Sequence, residues 1–398
     1  MVYISGQYTD AAVLWTIVPV AFGVVMPGIV DRIIGMLGPD KRQAKAKWKR
    51  PDVMRRDLDR MAEYLDGLPS SEPTVRQPFE LGLAAMRACR WDEAIGHFRA
   101  AMTVTEGTHL VALLNLTGIC HYTRGRPGEA LSDFEKSARL AVQFHSERGR
   151  AQALNNIGLI CRDNGEPDKA LEYLGESLAI ARELDDQWAV AIQLGNTGNI
   201  WHDRGDLDKA LQYHEQALAI SREIRDQWGV ATELGNIGSI YRDKGAPDKA
   251  LQYHEQALAI SREIGYRLGV VTGLASIGSI YRNQGRLDKA LEYEEEALAI
   301  ARKAGYSPGV ATYLGDIGLA LTDKRKHKQA VPKLAEALTI LLATGVADGP
   351  RQALTGLVRC EDKLGRKRVE GLLKGTGLND ETTADLLERI DSVRMRRP

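Results

Sequence analysis

Residues 208–224 read Asp-Lys-Ala-Leu-Gln-Tyr-His-Glu-Gln-Ala-Leu-Ala-Ile-Ser-Arg-Glu-Ile, and residues 248–264 repeat the same stretch without a change. Looser copies follow the same 40-residue step from about 113 to 352. A unit copied at a fixed period in this range cannot bury its apolar face alone, so neighbouring copies must stack to complete a core. The repeat therefore predicts a solenoid, whose long surface is suited to contacts with other molecules.

One unit of the repeat contains two helical patterns separated by a glycine turn. The first pattern runs from about 227 to 244 and stops at Gly245, a residue type that ends helices because it tolerates positive φ. Pro247 and Asp248 open the second pattern, since proline presets φ at the first turn and the carboxylate complements the positive end of the helix dipole. Each unit is predicted to be a helical hairpin, and the chain to be all-α.

Small and apolar residues recur at fixed positions of the unit. When Gly238 is numbered position 8, apolar residues occupy positions 4, 7 and 11, and alanines occupy positions 20 and 27. The small residues that recur are Gly158, Gly198, Gly238, Gly278 and Gly318 at position 8, and Ala170, Ala210, Ala250, Ala290 and Ala330 at position 20. They are expected to let the two helices of a hairpin approach closely.

This pattern resembles the tetratricopeptide repeat (TPR), in the 40-residue, long-helix variety found in kinesin light chains and related adaptors. The resemblance implies a right-handed α-solenoid of about seven to eight helical hairpins, with degenerate units at both ends. It also implies a protein that binds other proteins.

Position 24 departs from the resemblance, because the repeat usually has an aromatic residue there. The residues at this position are His214, His254 and Glu294. The tyrosines just before them, such as Tyr213 and Tyr253, are expected to fill the space instead. The two histidines are interpreted as packing residues, because neighbouring units stack roughly 10 Å apart, which is too far for a shared metal ion.

An uncharged stretch runs from Ala11 to Val30 and includes Trp15 and Phe22. As a helix it would be about 30 Å long, which matches a bilayer core. A basic cluster follows at 41–50, and an excess of lysine and arginine marks the cytoplasmic side of a membrane. The sequence predicts a single transmembrane helix in the lipid bilayer, with the repeats on the cytoplasmic side of the plasma (inner) membrane. Two alternatives stay open: the segment packs within a partner or the chain, or it is interfacial or a targeting signal.

The chain is predicted to have four parts. Residues 1–38 form the transmembrane anchor, and residues 39–72 form a basic juxtamembrane segment with a linker helix. The TPR solenoid occupies residues 73–376. Residues 377–398 form a capping helix and a basic tail, in which Arg394 is expected to be solvated.

Composition and motifs argue against catalysis and nucleic-acid binding. The formal net charge is zero, so the basic balance of a nucleic-acid-binding protein is absent. The four cysteines are widely spaced and are expected to be buried free thiols. The phosphate-loop, nucleophile-elbow and metalloprotease motifs do not occur. We expect no enzymatic activity, no cofactor and no bound metal, and the oligomeric state stays open.

The first helix of each unit has a polar side opposite its packing side. At about 100° per residue, positions 2, 5, 6, 9, 12 and 13 share that side, which in a TPR stack lines the concave channel. Asparagines both donate and accept hydrogen bonds, so a row of them can pair with the backbone of an extended peptide, while arginines attract carboxylates or phosphates. Glycines at position 5, such as Gly195 and Gly235, are expected to leave room for that backbone. The candidate peptide-binding residues are Asn156, Asn196, Asn199 and Asn236, with Arg162, His202, Arg242 and Arg282.

The same residues also have a purely structural interpretation. Arg162 and Arg242 are each followed by an aspartate and could bridge adjacent repeats, and the asparagines could bond a neighbouring helix. The leading hypothesis is a membrane-anchored scaffold or adaptor that binds a partner protein or extended peptide in the channel, on the cytoplasmic side. The alternatives are a constitutive structural subunit or assembly factor of a membrane complex, and a soluble regulator whose N-terminal segment lies on the membrane surface.

Overall fold

The computed structural model describes residues 73–88, 90–303, 307–343 and 349–395. Seventeen α-helices and no β-strand are found in these residues, in agreement with the all-α prediction. The helices are α1 (Pro73–Arg87), α2 (Trp91–Met102), α3 (Thr108–Thr123), α4 (Pro127–Gln143), α5 (Glu147–Asp163), α6 (Pro167–Glu183), α7 (Gln187–Asp203), α8 (Leu207–Glu223), α9 (Gln227–Asp243), α10 (Pro247–Glu263), α11 (Arg267–Asn283), α12 (Leu287–Lys303), α13 (Ser307–Asp323), α14 (His327–Ala343), α15 (Gly349–Leu364), α16 (Arg366–Lys374) and α17 (Asp380–Met395).

The predicted transmembrane anchor and linker helix, residues 1–72, lie outside the described residues. Among the helices given above, none is both long and apolar enough to cross a bilayer.

The helices of the repeat begin and end where the sequence pattern places them. Helices α9 and α10 form the hairpin that the pattern predicts between 227 and 264. Gly245 has a φ of 73° at the turn between them, a conformation that glycine adopts without steric cost. The unit at 313–352 lacks this glycine, yet Arg325 holds the equivalent turn with a φ of 59°. The turn geometry is therefore maintained by the packing of the hairpin even where the sequence does not favour it.

The two helices of a hairpin touch at position 8. A methyl group added at Gly118 would lie 2.6 Å from Phe134, and one added at Gly198 would lie 2.8 Å from His214. These distances are well below van der Waals contact, so a side chain at position 8 would have to displace the facing ring or push the helices apart. The alanines at position 20 are completely buried in the same hairpins, at Ala170, Ala210, Ala250, Ala290 and Ala330.

The residues at position 24 fill the centre of the hairpin themselves, so the expectation that the preceding tyrosines do so is wrong. His214 and His254 are almost fully buried against the glycines at position 8. Tyr253 instead stacks on Tyr241, with ring centroids 5.3 Å apart. The reason is helical geometry, because one residue along a helix turns the side chain by about 100°, away from the glycine.

Contacts divide the chain into two compact units, with the division in sequence between Gly269 and Val270. In the first unit, a cluster of buried apolar side chains extends from Phe79 in α1 to Ile200 in α7. In the second unit, Leu334 and Leu357 are among the completely buried residues. Each unit therefore has its own apolar core.

The last helix packs within the second unit. Oδ1 of Asn379 accepts a hydrogen bond from the backbone N–H of Thr382 at 2.7 Å and so caps α17. Helix α17 contacts α15, and Ile390 is completely buried. Arg394 is exposed, as expected, but it lies in the last turn of α17 rather than in a tail and donates a hydrogen bond to Asp362 of α15 at 2.6 Å.

Candidate peptide-binding site

We call the side of α5, α7 and α9 that carries positions 5, 6, 9, 12 and 13 the channel face. Its asparagines differ in exposure. Asn196 and Asn236 are each only 8% exposed, whereas Asn156 and Asn199 are partly exposed. The row is therefore partly covered by the protein's own side chains, and the contacts of each residue decide what it can offer a ligand.

The asparagines of neighbouring repeats bond to each other. Nδ2 of Asn196 donates to Oδ1 of Asn155 at 2.9 Å, from one first helix to the next. Nδ2 of Asn155 lies 3.4 Å from Oδ1 of Asn156. Asn155, at position 5, was not among the predicted site residues, although an asparagine there stands out among the small residues of other repeats. This chain of amides uses the donor side of Asn196 and the acceptor side of Asn156.

Position 12 is joined to position 13 of the next repeat. Nε2 of His202 lies 2.9 Å from Oδ2 of Asp243, and Nε of Arg242 donates to Oδ1 of the same carboxylate at 2.9 Å. Burial acts to raise the pKa of Asp243, but the hydrogen bonds to His202 and Arg242 outweigh it and hold that pKa below its usual value. The carboxylate is thus a charged bridge between α7 and α9.

The same link occurs one repeat earlier. Nη2 of Arg162 lies 3.3 Å from Oδ1 of Asp163, and its Nε lies 3.9 Å from Oδ2 of Asp203. The hydroxyl of Tyr122, at position 12 of the preceding repeat, donates to Asp163. The structural interpretation of the arginine row is therefore correct in part, because these side chains bridge adjacent repeats. Any ligand of the arginines must share them with these aspartates.

Arg282 belongs to the second unit and has its own partner. Its Nη1 donates to Oδ1 of Asp316 at 2.7 Å. Burial acts to lower the pKa of Arg282, but the charge of Asp316 outweighs it and raises that pKa, so the guanidinium stays charged. Glu294 lies near this pair and is 2% exposed, and burial together with the charge of Asp316 raises its pKa to about 8.

A buried pair behind the channel face was missed by the sequence analysis. Nδ1 of His214 lies 2.6 Å from Oε2 of Glu233, in the next repeat. Nδ2 of Asn236 lies 3.4 Å from the same oxygen. One signal could have revealed the pair: Glu233 occupies position 3, on the packing side of its helix, where the equivalent residue two repeats earlier is Ala153.

The two glycines expected to leave room for a peptide differ. A methyl group on Gly195 would lie 2.6 Å from Oε1 of Glu233, so that space is already filled. A methyl group on Gly235 would meet no atom within 4 Å. The expectation of open space at position 5 therefore holds at Gly235 and is wrong at Gly195, because the carboxylate of Glu233 folds over it.

Metal and thiol chemistry receive no support from the described part of the chain. Within it, no group of three or more histidine, cysteine, aspartate or glutamate side chains is arranged to hold a metal ion. Cys120, Cys161 and Cys360 are buried free thiols, as the sequence predicts, and burial raises the pKa of each. Cys89 lies outside the described residues.

Several solved structures are similar to this chain. The apo form of the quorum sensor NprR from B. thuringiensis superposes with a TM-score of 0.57 at 15% identity, covering 90% of this chain and 99% of that one. A Rap protein in complex with the competence and sporulation factor gives a TM-score of 0.55 at 15% identity, covering 87% and 93% of the two chains. A Podosopora anserina protein described as a kinesin light chain with nearly identical TPR-like repeats gives 0.41 at 18% identity, covering 50% and 98%. At these identities the likeness concerns the fold alone.

Among curated protein sequences, none matches this chain. The sequence pattern of the tetratricopeptide repeat matches residues 77–143, 149–223, 188–263, 229–303 and 269–343. These segments cover well over half of the chain, and the hairpins and position-8 contacts described above are those the pattern requires. The chain belongs to the tetratricopeptide-repeat family.

Proposed function

We propose that this protein is a scaffold or adaptor that binds an extended segment of a partner protein along the channel face of α5, α7 and α9. The observation that carries the proposal is the linked row of amides from Asn156 through Asn155 to Asn196, with the open space beside Gly235. Amides bind backbone N–H and C=O groups irrespective of side-chain sequence. An open position next to them gives a peptide backbone room to approach.

The side chains at position 12, those of Arg162, His202 and Arg242, lie beside this row of amides. Their charge determines which charged groups of a ligand can bind there. Each of these side chains already has an aspartate partner, so together they are close to neutral in charge. The partly covered guanidinium of Arg242 can still donate hydrogen bonds to a ligand carboxylate in addition to Asp243, because a guanidinium has five donors. Arg282, bonded to Asp316, stays a separate candidate contact within the second unit.

The similar structures support a peptide or protein ligand. One of them is a quorum sensor, and another was solved with the competence and sporulation factor bound. The family that matches is a helical repeat family rather than an enzyme family, which supports a binding role without catalysis.

The proposal is tested by selecting peptides from a randomised dodecapeptide library displayed on phage, with the full chain as bait. We expect enrichment of peptides that bind the wild-type chain. Binding should be lost in the triple variant Asn196→Ala, Asn236→Ala, Arg242→Ala, while the helical circular dichroism stays unchanged. Peptides that bind the triple variant equally well would exclude the channel face as their site.

Membrane attachment is a second part of the proposal and rests on the sequence from Ala11 to Val30. Trp15 and Phe22 would lie within the bilayer, and the repeats would face the cytoplasm at the plasma (inner) membrane. Carbonate extraction of membranes tests it, because a spanning segment resists extraction. Release of the full chain into the soluble fraction would contradict the anchor and leave the peptide proposal intact.

A further inference from the structure

The centre of the hairpin changes character along the chain. Position 24 is Phe134 in α4 and Leu174 in α6, both almost completely buried. The next two residues at this position are His214 in α8 and His254 in α10, which are 1% and 2% exposed. Because phenylalanine and leucine pack this position well elsewhere, a histidine is not needed for the fold. Burying a polar side chain costs free energy unless it is hydrogen-bonded.

The two histidines differ in what they contact. His214 bonds Glu233 of the following repeat at 2.6 Å, and both residues are buried. The residue at the equivalent place for His254 is Gly273, which offers no side-chain acceptor. Within the described residues, Nε2 of His254 has no hydrogen-bond partner. His214 therefore has a carboxylate partner in the following repeat, for which the sequence provides no equivalent at His254.

The contact between His214 and Glu233 extends to the channel face through Asn236. Oε2 of Glu233 accepts the hydrogen bond of His214 and also lies 3.4 Å from Nδ2 of Asn236. The other oxygen of Glu233 is held against Gly195. A carboxylate accepts hydrogen bonds only, so it orients the amide with its NH₂ group inward. The carbonyl oxygen of Asn236 then lies on the side of the amide away from Glu233.

We propose that His214 and Glu233 are a positioning pair that holds the carbonyl oxygen of Asn236 towards the channel, so that this repeat accepts a hydrogen bond from a backbone N–H of an extended peptide. The proposal rests on the proposed function and specifies its chemistry at one repeat. Asn196 has the same polarity, because its Nδ2 is used by Asn155. The open space at Gly235, next to Asn236, is where the peptide backbone would lie.

Glu233→Leu tests the positioning role, because leucine fills a similar volume but offers no acceptor to His214 or to the NH₂ group of Asn236. A glutamine would not serve, since His214 and Asn236 contact the same oxygen of Glu233, which an amide oxygen could replace. Without an acceptor, the amide of Asn236 is no longer held with its NH₂ group inward. A purely structural role for Glu233 predicts no change at one backbone position of the peptide.

The experiment uses a peptide selected on the wild-type chain and a series of its variants, each methylated at one backbone nitrogen. In the wild type, we expect methylation at one position to weaken binding about tenfold, the equivalent of one lost hydrogen bond. In Glu233→Leu this penalty should shrink or disappear at that position, because the orientation of the Asn236 oxygen is no longer fixed. His254→Leu is the matched control and should keep the wild-type profile. Asn236→Ala should remove the same penalty, which identifies the peptide position that contacts Asn236. The double variant His214→Leu, Glu233→Leu keeps the positioning role testable if Glu233→Leu folds poorly, because replacing a buried charged pair with apolar side chains is often neutral or stabilising.

The outcomes separate the two proposals. A methylation penalty that is lost in Asn236→Ala but unchanged in Glu233→Leu would overturn the positioning role and leave peptide binding standing, and so would a profile that is the same in the wild type and both variants. A library that yields no peptide for the wild-type chain would overturn the proposed function, and the positioning role with it. A penalty lost in both variants and kept in His254→Leu supports the pair.

Discussion

Nδ1 of His214 lies 2.6 Å from Oε2 of Glu233, and the bond joins the second helix of one repeat to the first helix of the next. The two side chains are 1% and 7% exposed, so water cannot replace either partner if the other is removed. This contact connects the hairpin core with the channel face. Neighbouring repeats differ in this contact. His254 occupies the position equivalent to His214, but the residue nineteen positions further on is not a glutamate.

Because His214 has a glutamate partner in the next repeat and His254 does not, replacing each with leucine should change the stability of the protein differently. His214→Leu leaves the buried carboxylate of Glu233 without its partner and should destabilise the protein by about 3 kcal/mol. His254→Leu removes a buried polar group that lacks a hydrogen bond at Nε2 and should be neutral or stabilising. Urea denaturation followed by circular dichroism compares the two midpoints. Equal midpoints for the two variants would show that the His214–Glu233 contact adds nothing to stability.

A second pair of substitutions tests the packing of Glu233 on Gly195. Both Gly195→Ala and Gly235→Ala gain roughly 1 kcal/mol of helix propensity. At Gly195 the new methyl group would lie 2.6 Å from Oε1 of Glu233, so the carboxylate must move and its bond to His214 is strained. We expect Gly195→Ala to be destabilised by about 1–3 kcal/mol and Gly235→Ala to be stabilised. The urea midpoints decide, and a stabilised Gly195→Ala variant would mean that Glu233 does not occupy this space.

His254 predicts a loss of stability in acid. Burial, with the charge of Arg242 acting in the same direction, lowers the pKa of His254 from 6.5 to about 3. Between these values the unfolded chain binds a proton that the folded protein excludes, so stability falls as the pH falls from 6.5 towards 3. The loss should approach 1.4 kcal/mol for each pH unit. Urea midpoints across this pH range should fall less steeply for His254→Leu, and identical slopes would contradict the assignment.

Glu294 predicts the opposite dependence in the second unit. Burial and the charge of Asp316 raise the pKa of Glu294 from 4.5 to about 8, while Arg282 acts against them. The folded protein therefore holds a proton that the unfolded chain has lost, and stability falls as the pH rises from 4.5 to 8. Glu294→Leu restores the residue type found at Leu334 and should flatten this decline in urea midpoints. A decline of the same steepness in Glu294→Leu would show that another group is responsible.

The sequence pattern was sufficient for the architecture because it acts through local rules. The limits of α9 and α10, the turn at Gly245 and the close contact at Gly198 all follow from residues a short distance apart in the chain. Each unit repeats these rules, so a helix boundary that is ambiguous in one unit can be inferred from the equivalent position in the others. The sequence analysis placed the side chain of Tyr253 at the centre of the hairpin. One residue along a helix turns a side chain by about 100°, so that tyrosine lies away from the centre that His254 fills.

The contacts of the site could be predicted only in part, because they depend on the register between repeats. Asp243 and His202 are 41 residues apart, and their pairing follows from how far one repeat is displaced against the next. The sequence indicates the aspartates next to Arg162 and Arg242, which do bond them, but it does not indicate which side chain of the neighbouring repeat each aspartate reaches. The bond from His214 to Glu233 combines two unusual residues in different repeats, and the sequence shows each without showing that they meet.

The most direct measurement of the central claim is the location of a bound peptide. A selected peptide carrying a benzoylphenylalanine is irradiated in complex with the full chain, and the crosslinked residues are identified by mass spectrometry. Binding in the channel predicts crosslinks on α7 and α9, near Asn196, Gly235 and Asn236. Crosslinks confined to the second helices α6, α8 and α10 would contradict it and would favour a structural subunit that contacts its partners through the opposite surface.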